Sequence, residues 1–201
     1  MSQITDTRNS DLTFAAGDVI GYYAPFGTPD PGNMGDLTSP WICLGWISTA
    51  GQIYKLNEAM KNIDAAGTLD PIRTIVTGAP KTFDGTFMEG MNPAVRSLYD
   101  DVPLSELQPA TGTTIASYLM PEIPPLNNYA FLFDSFDGNS QMRSYGPQGK
   151  VTTRGNYQMQ QEDATTVAMT ITFYPQLIGS TRSALKHYID YGTADLTAFY
   201  S

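Results

Sequence analysis

The sequence predicts a mainly β fold, a β-sandwich or partial barrel with one or two flanking α-helices. Apolar and polar residues alternate with a period of two in segment after segment, those segments are bounded by Gly, Pro, Asn or Asp, and helical spacing is confined to two places. The clearest strand is Val167–Tyr174. Val167, Met169, Ile171 and Phe173 fall on one face, Ala168, Thr170, Thr172 and Tyr174 on the other, and Pro175 ends it.

In chain order the alternation gives strands at Val19–Tyr23, Trp41–Ile47, Gln52–Leu56, Arg73–Thr77 and Thr82–Met88. Asn92–Tyr99 reads as a short helix: Asn92 can cap it, Pro93 suits the first helical position, and Val95, Leu98 and Tyr99 recur at helical spacing. Pro121-Glu122-Ile123-Pro124-Pro125 is an extended, rigid connection. Strands follow at Tyr129–Phe133, Val151–Met159 and Val167–Tyr174. A second helix is expected within Ser180–Tyr191, where Leu185, Tyr188 and Ile189 form a face. With no internal repeat, low-complexity tract or linker, residues 1–201 read as one domain.

A chain of this length buries about 70% of its unfolded surface, so its core needs no staples. Cys43, the only cysteine, lies between Ile42 and Leu44 and is expected to be a small buried hydrophobe, in keeping with a reducing cytosol. Met1–Arg8 lacks a charged region followed by an apolar run, so a secretory signal is not expected, and no apolar stretch approaches the roughly 20 residues of a membrane helix. The 20 acidic and 11 basic residues give a net charge of −9 without a basic cluster, a balance that repels nucleic acid. Only 15% of residues are charged, against about 25% in ordinary domains, which suggests a surface covered by partners.

Catalytic and ligand signatures are weak. His187, the only histidine, has no Gly-x-Ser-x-Gly elbow or cysteine motif beside it, and one Cys with one His hardly builds a zinc site. Gly146-Pro147-Gln148-Gly149-Lys150 fails as a phosphate loop, with Ser144 where the first glycine belongs and Val151 where Ser or Thr must follow, and is expected to be a turn between strands. Asp134-Ser135-Phe136-Asp137-Gly138-Asn139 hints at calcium but lacks the ligand spacing, and also reads as a turn. Asp100, Asp101, Glu58, Asp64 and Asp84 read as a solvated acidic face. No catalytic residue, cofactor or metal is assigned.

The most informative stretch is Tyr23-Ala-Pro-Phe-Gly-Thr28, which leads through a Gly/Pro-rich loop to Leu44-Gly-Trp-Ile-Ser48. Gly51, Gly67, Ile72-Arg73, Thr82-Phe83 and Phe87-Met88-Glu89 follow in that order. This ordered set, carried by residues 18–100, resembles the major tail (tail tube) proteins of long, non-contractile-tailed bacteriophages. The resemblance implies a structural virion protein, not an enzyme: a β-sandwich whose flanking helix corresponds to Asn92–Tyr99, assembled into hexameric rings whose inner strands join across subunits. The rings stack into a tube, assembled in the host cytoplasm, that conducts DNA to the host. The implied partners are further copies of the chain, a tape measure protein, a tail terminator and distal tail or baseplate proteins. DNA passes through the lumen without specific binding, and no membrane is involved.

Within that resemblance, Gly27–Pro40 is the candidate stacking loop, and residues 1–18 and 193–201 are polar arms ordered on assembly. The acid surplus would line the channel, with Asp84 on the candidate inner strand. No appended immunoglobulin-like domain follows Tyr99. A capsid decoration or receptor-binding β-sandwich is the alternative. A carbohydrate-active enzyme would rest on Trp41 and Trp46 alone, which read as core residues.

Overall fold

A computed structural model describes residues 9–67, 69–157, 159 and 164–197. The strands are β1 (Asp18–Pro25), β2 (Ile42–Leu56), β3 (Ala59–Ile63), β4 (Arg73–Gly78), β5 (Lys81–Phe87), β6 (Tyr129–Asp137), β7 (Ser140–Arg154), β8 (Val167–Phe173), β9 (Gln176–Ile178), β10 (Thr181–Ser183) and β11 (Lys186–Asp190). Among the described residues there is one α-helix, α1 (Pro93–Asp100), between β5 and β6. Six strands close an antiparallel barrel in the order β7-β6-β1-β2-β5-β8, with β8 pairing back to β7. Closure removes most edges that an open sheet would expose.

Two strands of 15 residues, β2 and β7, each serve different partners along their length. Along one edge of β7, β11 pairs with Gln141–Tyr145 and β8 with Gly149–Arg154, while β6 covers the other edge up to Gly149. In β2 the ladder to β5 slips between Ile47 and Gln52. The two strands expected there are therefore one strand with an irregularity at its centre.

The alternation in β8 faces the core as the sequence predicts, with Val167, Met169, Ile171 and Phe173 buried. Phe83 stacks on Phe133 at 3.7 Å between ring centroids, and Phe131 meets Phe173 edge to face. The helix starts where expected: the Asn92 side chain accepts from the Ala94 amide at 2.9 Å, and Val95 and Leu98 are buried.

Several expectations are corrected. Ser180–Tyr191 is not a helix but β10 and β11, because β11 finds partners along β7. The strand expected at Val151–Met159 begins at Ser140 and ends at Arg154. Gly146–Lys150 is not a turn; it lies inside β7, where Cβ atoms at Gly146 and Gly149 would come within 2.5 Å of Phe173 and 2.7 Å of Phe131. Those glycines let two aromatic rings approach the backbone. Only Gly138-Asn139 turns in the Asp134–Asn139 segment; Asp134 itself is buried in β6. Cys43 and Trp46 are exposed, not core, Trp46 by 68%.

Asp100 and Asp101 are not a solvated face either. Both are 4% exposed. Asp100 takes Arg96 at 3.0 Å and the Tyr118 hydroxyl at 2.7 Å, while Asp101 accepts from the Leu126 amide at 2.7 Å and lies 3.4 Å from Arg154. The pair fastens the long connection between α1 and β6 to the end of the helix, which places the stretch from Leu104 to Leu126.

Candidate assembly surfaces

The surfaces available to partners follow from what the barrel leaves unpaired. One half of it is a four-stranded sheet of β2 (residues 52–56), β5, β8 and β7 (residues 149–154). Among the described residues, Gln52–Leu56 pairs with β5 only and Lys150–Thr153 with β8 only, so both flanks of this sheet offer free backbone. Its inner face carries Phe83, Phe87, Ile171 and Phe173. Its outer face carries Ile53, Lys55, Thr82, Asp84, Thr86, Lys150, Thr152, Thr153, Ala168, Thr170 and Thr172, a field rich in hydroxyls.

That face is knit together. Thr152 and Thr172 share a hydroxyl bond of 2.8 Å, Thr170 donates to Asp84 at 2.7 Å, and Lys55 pairs with Asp84 at 2.5 Å. Burial would raise the Asp84 carboxyl, but Lys55 and Thr170 hold it below its ordinary value. Asp84 is thus on the outer face of the sheet, paired instead of free.

A second surface, which sequence reasoning missed, is the ribbon β3–β4. Neither strand has a fully buried residue. Asn57 donates to the Pro80 carbonyl, so the ribbon prolongs the β2–β5 ladder beyond the barrel. Met60, Ile63, Leu69, Ile72 and Val76 are exposed along it, and Glu58 and Asp64 lie on it. The missed signal was this run of apolar residues with no facing core.

The loop Gly27–Pro40 is tied to its own subunit. Tyr145 donates to the Thr28 carbonyl at 2.8 Å, and Arg143 donates to the Asn33 and Gly35 carbonyls at 2.9 Å. The other arms of Arg143 form a bidentate pair with Asp134 at 2.7 Å, both residues buried. Asp134 is therefore committed to an ion pair. Lys186 and Tyr188 hold Asp30 at 2.6 and 2.8 Å. Residues 9–17 are also attached, the Ala15 amide donating to Asp137 and the Gly17 amide to the Phe136 carbonyl. Residues 1–8 of the N-terminal arm and 198–201 of the C-terminal tail lie outside the described residues.

Burial alone would raise the Asp30 carboxyl, but bonds from Lys186, the Gly32 amide and Tyr188 outweigh it and hold it below the usual value. A depressed carboxylate stabilises above its unfolded pKa, and that contribution is lost as pH falls through the folded one. The loop is therefore expected to loosen below about pH 4. Amide exchange of residues 27–40, corrected for intrinsic rates, should accelerate there, and in Asp30→Ala it should already be fast at pH 7.

His187 lies in β11, its Nδ1 2.8 Å from the Ser144 hydroxyl. Burial and Lys81 hold its imidazole below the ordinary value. Among the described residues no carboxylate bonds this imidazole. Among the described residues no group of three or more His, Cys, Asp or Glu could hold a metal, and no helix is long and apolar enough to cross a membrane.

A barrel with free sheet flanks, an exposed ribbon and little charge leaves broad surfaces open to partners. A family model for the phage tail tube protein matches residues 6–189. The chain belongs to the phage tail tube protein family. Its role is structural: a tail tube protein is a component of the virion tail and self-assembles into a tube. No curated protein matches this tail tube protein closely enough to count as a relative.

Proposed function

We propose that this tail tube protein forms closed hexameric rings that stack into the tube of a non-contractile, siphovirus-type tail, and that the tube is the conduit for DNA ejection. The observation that carries this is the four-stranded sheet with a free flank on each side and a polar outer face. Gln52–Leu56 of one subunit pairs with Lys150–Thr153 of the next, and a closed ring leaves no edge over. The hydroxyl-rich face then lines the channel. The ribbon β3–β4 makes the axial contact, and the fastened loop 27–40 presents a fixed surface beside it. A tape measure protein would occupy the channel during assembly in the host cytoplasm, and a terminator and distal tail proteins would close its ends.

Electron microscopy and sedimentation of the concentrated protein test this. Rings or tubes with a central channel are expected. A species that stays monomeric at high concentration, with or without tail completion proteins, and coats capsids instead would favour the decoration reading.

A further inference from the structure

The ribbon β3–β4 leaves the barrel at the Lys81 end of β5, where Leu56 and Lys81 are paired. At the other end of the same strand lies a second uncovered surface. The Met88 amide donates to the Trp46 carbonyl there, and Trp46 (68%), Met88 (39%) and, in the next turn, Met91 (85%) are exposed. A depression of about 220 Å³ opens beside Trp46, lined by Asp18, Val19, Ile20, Cys43, Gly45 and Glu89. It is a built feature. The Glu89 carboxylate accepts from the Trp46 amide at 3.1 Å and from Asn92 at 2.9 Å, and it lies so close over Gly45 that a Cβ there would collide with it.

We infer that this depression receives the tip of the ribbon from a second copy of the chain in the adjoining ring, with Leu69 or Ile72 seated against Trp46. The inference rests on the tube reading above and adds the receiving surface to it. Two apolar surfaces at opposite ends of one strand direction cannot meet within a subunit, yet a head-to-tail translation brings each onto its complement. A contact of that heterologous kind repeats without closing, as an axial polymer requires. The tip offers two apolar side chains between Asp64 and Arg73: Leu69 is wholly exposed and Ile72 is 62% exposed. The depression has room for one such side chain.

Cys43, exposed in the lining, reports on the contact. Assembled Leu69→Cys and Ile72→Cys tubes, treated with a short bis-maleimide, should give a ladder of linked subunits on a denaturing gel, and Cys43→Ser in the same background should abolish it. Trp46→Arg should leave the melting curve of the subunit unchanged and stop elongation. Tubes that form normally but give no Cys43-dependent linkage from either tip position, or long tubes from Trp46→Arg, would overturn the docking and leave the tube reading intact. Absence of any tube from the unmodified protein would overturn both.

Discussion

Excision of the ribbon is expected to abolish tube elongation and leave the barrel folded. Leu56 and Lys81 face each other in the ladder, so replacing residues 57–80 by Asn-Gly joins β2 to β5 through the two-residue turn that suits an antiparallel pair. The core loses nothing: β3 and β4 contribute no fully buried residue, and none of Phe83, Phe87, Phe131, Phe133 and Phe173 depends on them. Axial assembly loses much more. Burying an aliphatic side chain is worth about 1.5–3 kcal/mol, and Ile63, Leu69 and Ile72 are all presented at or near the tip. Weighted by how exposed each of the three is, the gross loss is about 3–6 kcal/mol for each axial contact, before the ordering it offsets. A circular dichroism melt close to that of the full chain, with rings but no tubes by electron microscopy, is the expected result. Long tubes from the excised chain would assign stacking to another surface, loop 27–40 first.

How far the sequence foretold this arrangement can be traced residue by residue. In β8 the alternation named the buried face correctly, because that strand has one face on the core and period two is then unambiguous. The α1 start was equally legible, since Asn92 and Pro93 act within one turn. Ser180–Tyr191 was not: a short apolar run fits either period, and what decided it was the edge of β7 some forty residues away in sequence. Cys43 and Trp46 failed for a different reason. Alternation divides a strand into two faces but does not say which of them a partner covers. Asp100 and Asp101 looked solvated because their partners, Tyr118, Leu126 and Arg154, are set by the long connection and by β7, which no local pattern relates to the helix. Of the ribbon, β4 was foreseen as the strand Arg73–Thr77, whereas β3 was missed and the apolar residues of both serve no core of this chain, so the usual link from hydrophobicity to burial does not apply within one subunit.

On the proposed channel wall, the charge differs from the acidic lining expected from composition. In the four strand segments of the candidate wall, Asp84 is the only acid, beside Lys55, Lys81, Lys150 and Arg154. On the outer face Asp84 opposes Lys55 and Lys150, so one net positive charge per subunit remains and the acid surplus lies elsewhere on the molecule. Such a wall is nearly neutral, and its hydroxyls give phosphate no fixed cation beyond Lys150 to displace counterions. Asp84→Lys raises the face from one net positive charge to three per subunit and frees Lys55 from its partner. Around a ring, those ammoniums would hold the DNA backbone, each phosphate contact adding about 0.9 to the slope of log affinity against log salt. Particles carrying Asp84→Lys are therefore expected to assemble, since the lost pair is half exposed and worth at most about 1 kcal/mol. They should eject DNA several-fold more slowly at low salt and recover as the Debye length shrinks towards about 3 Å near 1 M. Asp84→Asn, which adds less charge, should fall between the two. Fluorescence-monitored ejection across a salt series reads the effect directly, and an Asp84→Lys particle that ejects at the unmodified rate at every ionic strength would show that this face does not meet the DNA.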